Sequence, residues 1–420
     1  MLFSSLLYAC VASGALGASW IAPGAVWYDT DGNKIDAHGG GVVLRGDTYY
    51  WVGHASSNQT PMMYSSTDLV NWKNLGQQDS AVSGMWCRPK IAKPNGSFWL
   101  FGQQDRYVLS LKSGQFIGGY GNSAKVHIPP DDYTYSDTGM FYDDATDTWY
   151  LLTSADHNIV QINRINSDGA LGDKLSDLRA GAYEAPGIVK ADGVYFLIVS
   201  GKTGWRSNPN KVFWANSISG PWTGGSDIAP QDQNTYGSQN TFELTVKGSQ
   251  KTTYIYMGDA WDSKGGASSN YVWLPMNINA GAKTIQLDYH AMWKVDVKTG
   301  AVSYPSTLKR YEANHSILSG RTVADEPNEA TFHNVTGTGS LQWLSFHYQV
   351  NNPDAGEAYV IVNDEPAVNI SSLNSRAGYH DSTPVQLKLR SGDVNTITFG
   401  FIGENDHKIA VNALELFEED

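Results

Sequence analysis

The chain has 420 residues and a formal net charge of −13, and aromatic residues make up 12% of it. This length exceeds what one compact core usually supports, so we expect two domains. The acidic balance disfavours nucleic acid as a partner, and after the start of the chain no apolar run is long enough to span a membrane. The 43 glycines and the many aromatics favour an all-β protein. Aromatic faces also suit sugar binding, although aromatics favour strands and cores in any protein.

The chain begins with an apolar stretch, MLFSSLLYACVASGALGA, that ends in small residues. It predicts a secretory signal peptide over residues 1–18, although the positive n-region is missing and a buried first strand is the alternative. Cleavage would remove Cys10 and leave Cys87 as the single cysteine. We therefore expect a secreted, extracellular protein without an internal disulfide. A glycoprotein is also expected, because five sequons are present, at Asn58, Asn95, Asn314, Asn334 and Asn369.

Short aromatic strands recur with a period of about 50 residues. Their markers are Tyr49, Phe98, Trp149, Tyr195 and Tyr254. A second set of strand-like segments precedes them, beginning at His38, Cys87, Asp137, Glu184 and Gln239. Five recurring strand pairs at this period are typical of a five-bladed β-propeller, in which the innermost strand of each blade lines the central axis.

The five residues that begin the second set are predicted to meet at one mouth of the axis. The alternative is that they only mark strand starts, where polar residues are common. Glycoside hydrolysis commonly uses two carboxyl groups, and Glu184 is the candidate acid. A nearby Asp137 carboxylate would raise the pKa of Glu184 by repulsion between like charges. The alternative interpretations are that Glu184 is a structural carboxylate and that Asp137 is a turn residue at the start of a strand.

The remaining members of this predicted site are chemically less obvious. His38 and Gln239 are poor matches for a simple base that activates water. Cys87 would need a depressed pKa to act as a nucleophile, and the positive charge of the adjacent Arg88 would lower that pKa, but no sequence motif supports a thiol enzyme. A buried and inert cysteine is the alternative that we favour.

The strand pattern changes near residue 305. The last part of the chain contains short alternating segments such as LQWLSFHYQV, EAYVIVND and NTITFGFIG. These predict a β-sandwich. We therefore divide the chain into a signal peptide (1–18), a propeller (19–308) and a β-sandwich (309–420).

Over roughly residues 24–305 the sequence resembles glycoside hydrolase family 43, and in particular its exo-β-1,3-galactanase subfamily. The resemblance rests on WYDTDGNKIDAHGGGVV, SSTDLVNW, RPKI, YEAPGIVKADGVYFLIVSGKTGW, NPNK, SGPW, DIAP, GSQNTFEL and YIYMGDAW. It implies a five-bladed propeller and inverting hydrolysis. It also implies that Glu184 is the catalytic acid, that Asp137 tunes its pKa, and that Gln239 stands where a base is expected, acting through an unusual tautomer or by positioning water.

Two positions depart from the subfamily pattern. Cys87 stands where the subfamily has a glutamate before RPK, and His54 stands where it has a glutamate after the first aromatic strand. Both glutamates are expected to hold the terminal galactose or to assist the chemistry. Their loss removes two acceptors for sugar hydroxyls, each of which contributes about 1–3 kcal/mol when buried.

Three aromatic residues on loops are candidate walls of the sugar pocket, with packing beneath a loop as the alternative. They are Trp205, Tyr236 and Trp261. The C-terminal part resembles a carbohydrate-binding module of family 35. That resemblance implies a structural calcium ion with Glu312 as a ligand, and Asn412 lies where an aspartate ligand is usual.

The sequence therefore predicts a secreted, monomeric exo-β-1,3-galactanase-like hydrolase that releases galactose from the β-1,3-galactan of arabinogalactan. Its partner is a polysaccharide or oligosaccharide, and no cofactor is required for catalysis. A second hypothesis is a weak or inactive carbohydrate-binding propeller, because of Cys87 and His54. A third is a family 43 hydrolase for another sugar, such as an arabinofuranoside or a xyloside. Glu184, Asp137 and Gln239 form the predicted catalytic set, with His38, His54, Cys87 and the loop aromatics around the sugar.

Overall fold

The computed structural model describes residues 19–79, 86–128, 134–155, 158–261, 269–319, 329–350, 357–372, 380–402 and 408–418. The predicted signal peptide lies outside these ranges. Within them the chain is almost entirely antiparallel β-structure, and its helices are short turns at Pro94–Gly96, at Gln231–Gln233 and at Asn234–Gly237. None of these described helices is long and apolar enough to cross a membrane.

The first part of the chain forms five four-stranded sheets, each with its strands in sequence order. Sheet I contains β1 (His38–Arg45), β2 (Thr48–His54), β3 (Pro61–Ser66) and β4 (Lys73–Gln77). Sheet II contains β5 (Cys87–Ala92), β6 (Phe98–Gln104), β7 (Tyr107–Ser113) and β8 (Ser123–His127). Sheet III contains β9 (Tyr135–Asp143), β10 (Thr148–Ala155), β11 (Ile159–Ile165) and β12 (Leu171–Leu178).

Two further sheets follow the same pattern. Sheet IV contains β13 (Tyr183–Ala191), β14 (Val194–Gly201), β15 (Lys211–Ala215) and β16 (Thr223–Asp227). Sheet V contains β17 (Gln239–Lys247), β18 (Thr252–Ala260), β19 (Asn270–Asn279) and β20 (Thr284–Leu287). A two-stranded sheet of β21 (Lys294–Val295) and β22 (Val302–Ser303) ends this part. The predicted recurrence of five strand pairs is confirmed by the pairing of the first two strands in each of the five sheets.

Local sequence explains why these hairpins form. The strands are rich in aromatic and β-branched residues, which fit a pleated and half-buried surface. Tight turns join them, and in sheet IV the turn between β13 and β14 uses Asp192 and Gly193, both with positive φ. Two successive residues in the left-handed region are what a short hairpin turn of the right twist requires.

The five sheets are arranged around their first strands. β1 contacts β5, β5 contacts β9, β9 contacts β13, β13 contacts β17, and β17 contacts β1. The apolar cores lie between neighbouring sheets: sheets I and II share a core with Trp86 and Leu100, and sheets V and I share one with Trp51 and Trp273. Similar cores join the other neighbouring pairs.

The last part of the chain forms two four-stranded sheets. One contains β23 (Thr307–Ser319), β30 (Lys408–Phe417), β25 (Leu341–Val350) and β28 (His380–Lys388). The other contains β24 (Glu329–Gly337), β29 (Gly392–Ile402), β26 (Glu357–Val362) and β27 (Val368–Ser372). Side chains of both sheets, including Phe346 and Phe399, pack into one core.

A small apolar cluster connects the two parts. Trp20 and Met292 from the first part pack with Phe417 from the second, and Trp343 borders the same cluster. The predicted boundary between residues 308 and 309 falls just inside β23, which begins at Thr307. The division of the chain into domains stays a prediction.

Candidate active site

The predicted constellation lies where the first strands of the five sheets begin. Each of these strands has an irregularity of pairing near its start, for example between His38 and Gly41 in β1 and between Glu184 and Gly187 in β13. An irregularity of this kind bends a strand and redirects its side chains, and such bulges are common beside active sites. Arg88 and Ala185 have positive φ values of 52° and 51° at two of these places.

Glu184 is partly exposed and lies beside both other members of the predicted catalytic set. Burial, together with the charge of Asp137, raises its pKa to about 7, although Arg88, Gln239 and Lys202 act in the opposite direction. A carboxyl group with this pKa holds its proton over much of the neutral range. It can therefore donate a proton to a glycosidic oxygen, as a general acid must.

Asp137, near the beginning of β9, is bound by two hydrogen-bond donors. Its Oδ1 lies 3.0 Å from Nε of Arg88, and its Oδ2 accepts a hydrogen bond of 3.0 Å from the backbone N–H of Ala185. The second bond attaches Asp137 to the residue that follows Glu184. Asp137 is therefore fixed next to the candidate acid, as its proposed role of raising the pKa of Glu184 requires.

Gln239 contacts Glu184 directly. Its Nε2 donates to Oε1 of Glu184 at 2.9 Å and to Oγ of Ser200 at 3.3 Å. Its Oε1 accepts from Nη2 of Arg88 and, at 2.8 Å, from Nε1 of Trp261. Arg88 and Trp261 are donors only, so the amide oxygen must face them and the amide nitrogen must face Glu184. Inverting hydrolases hold their acid and base about 6.5–9.5 Å apart to leave room for a water molecule, and the direct contact of Gln239 with Glu184 leaves no such room in this structure.

Arg88 connects more of these groups than any other side chain of the site. Besides Asp137 and Gln239, its guanidinium donates to the backbone oxygen of Asn240 at 2.9 Å. Burial would lower its pKa, but Asp137, Asp259 and Glu184 together raise it. A buried arginine paired in this way is a fixed positive charge, because guanidinium remains protonated in proteins. From the sequence alone, Arg88 was a candidate only as a neighbour of Cys87.

His38 forms a buried pair with Asp259. Its Nδ1 lies 3.0 Å from Oδ1 of Asp259, whose Oδ2 accepts from the backbone N–H of Gly39 at 2.7 Å and from Thr241 Oγ1 at 2.7 Å. Burial would raise the pKa of Asp259, but the hydrogen bond and the charge of His38 lower it below its ordinary value. The ring of His38 stacks on Tyr271, with centroids 4.9 Å apart. His38 is 1% exposed and its ring lies 5.5 Å from that of Trp261, so this pair is buried beside the catalytic set.

His54 is also buried, with 5% of its surface exposed. Burial, together with the charge of His38, lowers its pKa to about 3. It is therefore neutral at ordinary pH, and its Nδ1 accepts from the backbone N–H of Arg88 at 3.4 Å. This bond leaves the proton on Nε2. In this structure His54 supports the backbone of Arg88 and stacks on Trp261, with centroids 5.9 Å apart.

Cys87 is a free thiol at intermediate exposure. Burial raises its pKa to about 11, and the charge of Asp137 acts in the same direction, while Arg88 opposes it. The thiol is therefore protonated at neutral pH, whereas nucleophilic cysteines need a lowered pKa. The raised pKa fits the prediction of an inert thiol, but Cys87 is half-buried rather than buried as predicted.

The predicted loop aromatics divide into two groups. Trp261 and Trp205 form one unit: Trp261 is bonded to Gln239, and Trp205, 45% exposed, packs against Trp261 edge to face with centroids 5.2 Å apart. Tyr236 instead donates to the backbone oxygen of Leu287 at 2.9 Å and packs on Tyr289, with centroids 5.4 Å apart. Its side chain takes this direction because its own backbone has a φ of 55°.

Sequence reasoning missed Asp259 and Lys202. Asp259 ends the segment YIYMGD that begins with the fifth marker, Tyr254, and Lys202 follows the fourth strand pair. Lys202 directly follows the last residue of β14, and Asp259 directly precedes the last residue of β18, so both lie on the side where the first strands begin. The sequence repeat could have predicted this placement. In an antiparallel pair the end of the second strand lies beside the start of the first, so polar residues at the ends of the second strands belong to the same site.

The residues predicted to hold calcium lie on neighbouring strands, β23 and β30. Glu312 pairs with Ala413, next to Asn412, but its side chain is 70% exposed and bonded to Nε of Arg310 at 2.7 Å. Among the described residues, no group of three or more His, Cys, Asp or Glu side chains is arranged to hold a metal ion. These two residues alone supply too few oxygen ligands for calcium, which takes six to eight.

Comparison with protein families gives one match. Residues 40–261 match the family described as Glycosyl hydrolases family 43. Among curated protein sequences no significant match is found.

Several solved structures are similar over most of the chain. The exo-β-1,3-galactanase of Phanerochaete chrysosporium, solved with galactose, is 31% identical, with a TM-score of 0.80, and the match covers 94% of this chain and 100% of that one. A variant of the same enzyme was solved with β-1,3-galactotriose. The exo-β-1,3-galactanase of Clostridium thermocellum is 25% identical, with a TM-score of 0.64, over 94% of this chain and 99% of that one.

Proposed function

The chain belongs to glycosyl hydrolase family 43, and from the geometry of its site we propose that it is an exo-acting β-1,3-galactanase that releases galactose from β-1,3-galactan. One observation carries the catalytic part of this proposal. Glu184, whose pKa is raised to about 7, lies within hydrogen-bond distance of Gln239 and beside Asp137. The choice of galactan is supported by the similarity to two galactanases, one of which was solved with galactose.

In the proposed reaction Glu184 gives its proton to the glycosidic oxygen as the bond to the anomeric carbon breaks. A water molecule adds to that carbon from the opposite face, which inverts its configuration, and the proton that it loses passes to solvent water. Arg88 and Trp261 hold the oxygen of Gln239, so the amide is polarised and its N–H is directed at Glu184. For Gln239 to place the attacking water, substrate binding has to separate it from Glu184, because no water fits into a contact of 2.9 Å.

The depth of the site fits removal of a terminal sugar. The polar side chains become more exposed from the bottom outward: His38 is 1% exposed, Gln239 5%, and the side chain of Asp137 17%. The exposed Trp205 then stands at the outer edge. A terminal galactose would fill the closed end, and the rest of the chain would leave past Trp205. This is the arrangement that an exo-acting enzyme needs.

We further propose that the five sheets close into a five-bladed propeller and that the two C-terminal sheets form a β-sandwich module that binds carbohydrate. The circular contacts of the first strands and the shared core of the last two sheets support these assignments. The protein is proposed to be a secreted, monomeric glycoprotein that acts on arabinogalactan. The apolar segment 1–18 and the five sequons support secretion.

The test is proton NMR of the purified protein with β-1,3-galactan, beside a Glu184→Gln control. We expect α-galactose to appear first and the control to release none. First appearance of β-galactose would exclude inversion. If wild type releases nothing from galactan but cleaves an arabinofuranoside or a xyloside in a parallel panel, the proposed substrate is wrong. If folded wild type cleaves nothing in that panel, the protein is a carbohydrate-binding member of the family.

A further inference from the structure

A short loop, residues 201–208, follows β14 and stands beside the candidate acid. Glu184 pairs with Ser200 across the first two strands of sheet IV, so the loop starts directly opposite the acid. Asn208 holds its two ends together. Its Oδ1 accepts from the backbone N–H of Gly201 at 2.7 Å, and its Nδ2 donates to Gly201 O at 2.9 Å and to Thr203 Oγ1 at 2.8 Å. These bonds connect the end of the loop to its beginning.

Trp205 is the exposed aromatic residue of this loop. Its ring packs edge to face on Trp261, whose own indole N–H is bonded to Gln239, so a chain of direct contacts leads from Trp205 to the catalytic set. An exposed indole that packs against Trp261 at the outer edge of the site offers a face for a sugar ring. In the proposed function the terminal galactose fills the closed end of the site. The sugar on the other side of the cleaved bond, which is the leaving one, then lies nearest to this outer edge.

Lys202 brings a positive charge to the same loop. Its Nζ donates to the backbone oxygen of Ala155 at 2.8 Å, a neutral partner, and among the described residues its ammonium group has no carboxylate within ion-pair distance. Its charge acts on Glu184, which places it near the acid. The whole chain has a net charge of −13, so its general field repels anions. Lys202, which has no carboxylate partner in the described part of the chain, is therefore a local positive charge in an acidic protein.

We propose that Lys202 and Trp205 form a subsite for the leaving part of the substrate and that this subsite favours a leaving sugar substituted with a uronic acid. Trp205 stacks on the ring of the leaving sugar whether or not that sugar carries a charged substituent. The ammonium group of Lys202 binds the carboxylate of the uronic acid. The proposal rests on the hydrolase function given above, because Glu184 as the acid defines which side is the leaving side. It goes beyond that function in naming the chemistry of the leaving group.

The test compares two substrates that differ only in charge. Both are β-1,3-linked galactobioses, one with a glucuronosyl group on the leaving galactose and the other with the carboxyl-reduced, glucosyl counterpart. We expect wild type to show a kcat/KM about fivefold higher for the acidic substrate. The ratio should fall to about one in Lys202→Met and be largely kept in Lys202→Arg. High salt should reduce it in wild type, because the interaction is partly exposed.

Two control variants separate charge from stacking. Lys73→Met removes an exposed lysine from β4 in another sheet, changes the net charge equally, and should keep the wild-type ratio. Trp205→Ala should lower kcat/KM for both substrates by a similar factor, about threefold to tenfold, and leave the ratio unchanged. Equal rates of wild type on both substrates, or a ratio unaffected by Lys202→Met, would overturn the proposal.

A binding measurement keeps the test independent of turnover. The two leaving fragments, glucuronosyl-galactose and glucosyl-galactose, are titrated into wild type and into Lys202→Met by NMR. Tighter binding of the acidic fragment by wild type alone supports the subsite, even if the galactobioses are not cleaved and the proposed hydrolysis fails. Equal affinity of wild type for the two fragments contradicts the subsite, whatever the hydrolysis assay gives.

Discussion

Gln239 and Glu184 are joined by a hydrogen bond of 2.9 Å in which the amide nitrogen donates to the carboxyl oxygen. The orientation of the Gln239 amide is fixed, because its oxygen accepts hydrogen bonds from Arg88 and Trp261 and its nitrogen must then face Glu184. Such a donor stabilises the ionised acid and lowers its pKa, which opposes the function of a proton donor. The pKa of Glu184 is nevertheless raised to about 7, because burial and the charge of Asp137 outweigh the amide. The contact is therefore compatible with Glu184 as a proton donor, but it leaves no room for the attacking water between the two side chains.

The pH dependence of activity tests the role of Asp137. The acid must carry its proton, so kcat/KM should fall as the pH rises through about 7, the pKa of Glu184. In Asp137→Asn the repulsion is lost and the positive charge of Arg88 is no longer offset. Both effects lower the pKa of Glu184, and the alkaline limb should move to lower pH by roughly one unit. Asp47→Asn, at an exposed turn, is the control and should leave the profile in place. A limb that stays or moves to higher pH in Asp137→Asn would contradict this role.

Changing Gln239 to glutamate should move the same limb in the other direction. The new carboxylate can still accept from Arg88 and Trp261, but it places a second acidic group in contact with Glu184. Two carboxyl groups at this distance share a proton, so the apparent pKa of the pair that controls activity rises. We expect the alkaline limb of Gln239→Glu at higher pH than that of wild type. The check is a pH–rate profile together with a melting curve, and an unchanged limb in a folded variant would show that the contact is absent in the working enzyme.

The sequence predicted the five strand starts because its signals there are local. Alternation of residues and turn composition repeat with each strand pair, and His38, Cys87, Asp137, Glu184 and Gln239 do lie at or near the starts of the five first strands. Their roles were harder to predict. Cys87 and His54 were placed around the sugar, but His54 is buried behind Trp261 and supports the backbone of Arg88.

The role of Arg88 could not be derived from local pattern. It depends on a φ of 52° at that residue and on a partner, Gln239, that is 151 residues away. Tyr236 shows the opposite problem. It is close to Gln239 in sequence, but the left-handed backbone at residues 235 and 236 directs its hydroxyl group to Leu287. Proximity in sequence predicts proximity in space only where the backbone between two residues is regular.

Cys87 gives a prediction about reactivity. Burial raises the pKa of its thiol to about 11, so almost no thiolate is present at neutral pH. We expect slow alkylation of the native protein by iodoacetamide, much faster alkylation after unfolding, and activity in Cys87→Ala within about threefold of wild type. Cys87→Ser is the matched control that keeps a small polar group. Loss of more than a hundredfold in kcat in both variants, with unchanged melting temperature, would assign the thiol a direct part in the reaction.

Glu243 lies deep beneath the site and should make stability depend on pH. It is 6% exposed, and burial raises its pKa to about 8, although Asn240 and the charge of Lys90 lower it. The carboxyl group packs against Gly187, where an added Cβ would lie 2.0 Å from Oε2 of Glu243. Lys90 is buried as well, and burial, together with the charge of Arg88, lowers its pKa to about 7.

Between the ordinary pKa of a glutamate and about 8, the unfolded chain ionises at this position while the folded chain keeps its proton. Folding then binds a proton, so the contribution of Glu243 to the free energy of unfolding decreases as the pH rises through this window. Glu243→Gln keeps the shape and removes the titration. We expect it to match wild type near pH 5 and to exceed it near pH 8 by on the order of a few kcal/mol. Urea unfolding across this range measures the difference, with the exposed Glu418→Gln as control. A difference between Glu243→Gln and wild type that is constant with pH would mean that Glu243 is ionised in the folded protein and paired with Lys90.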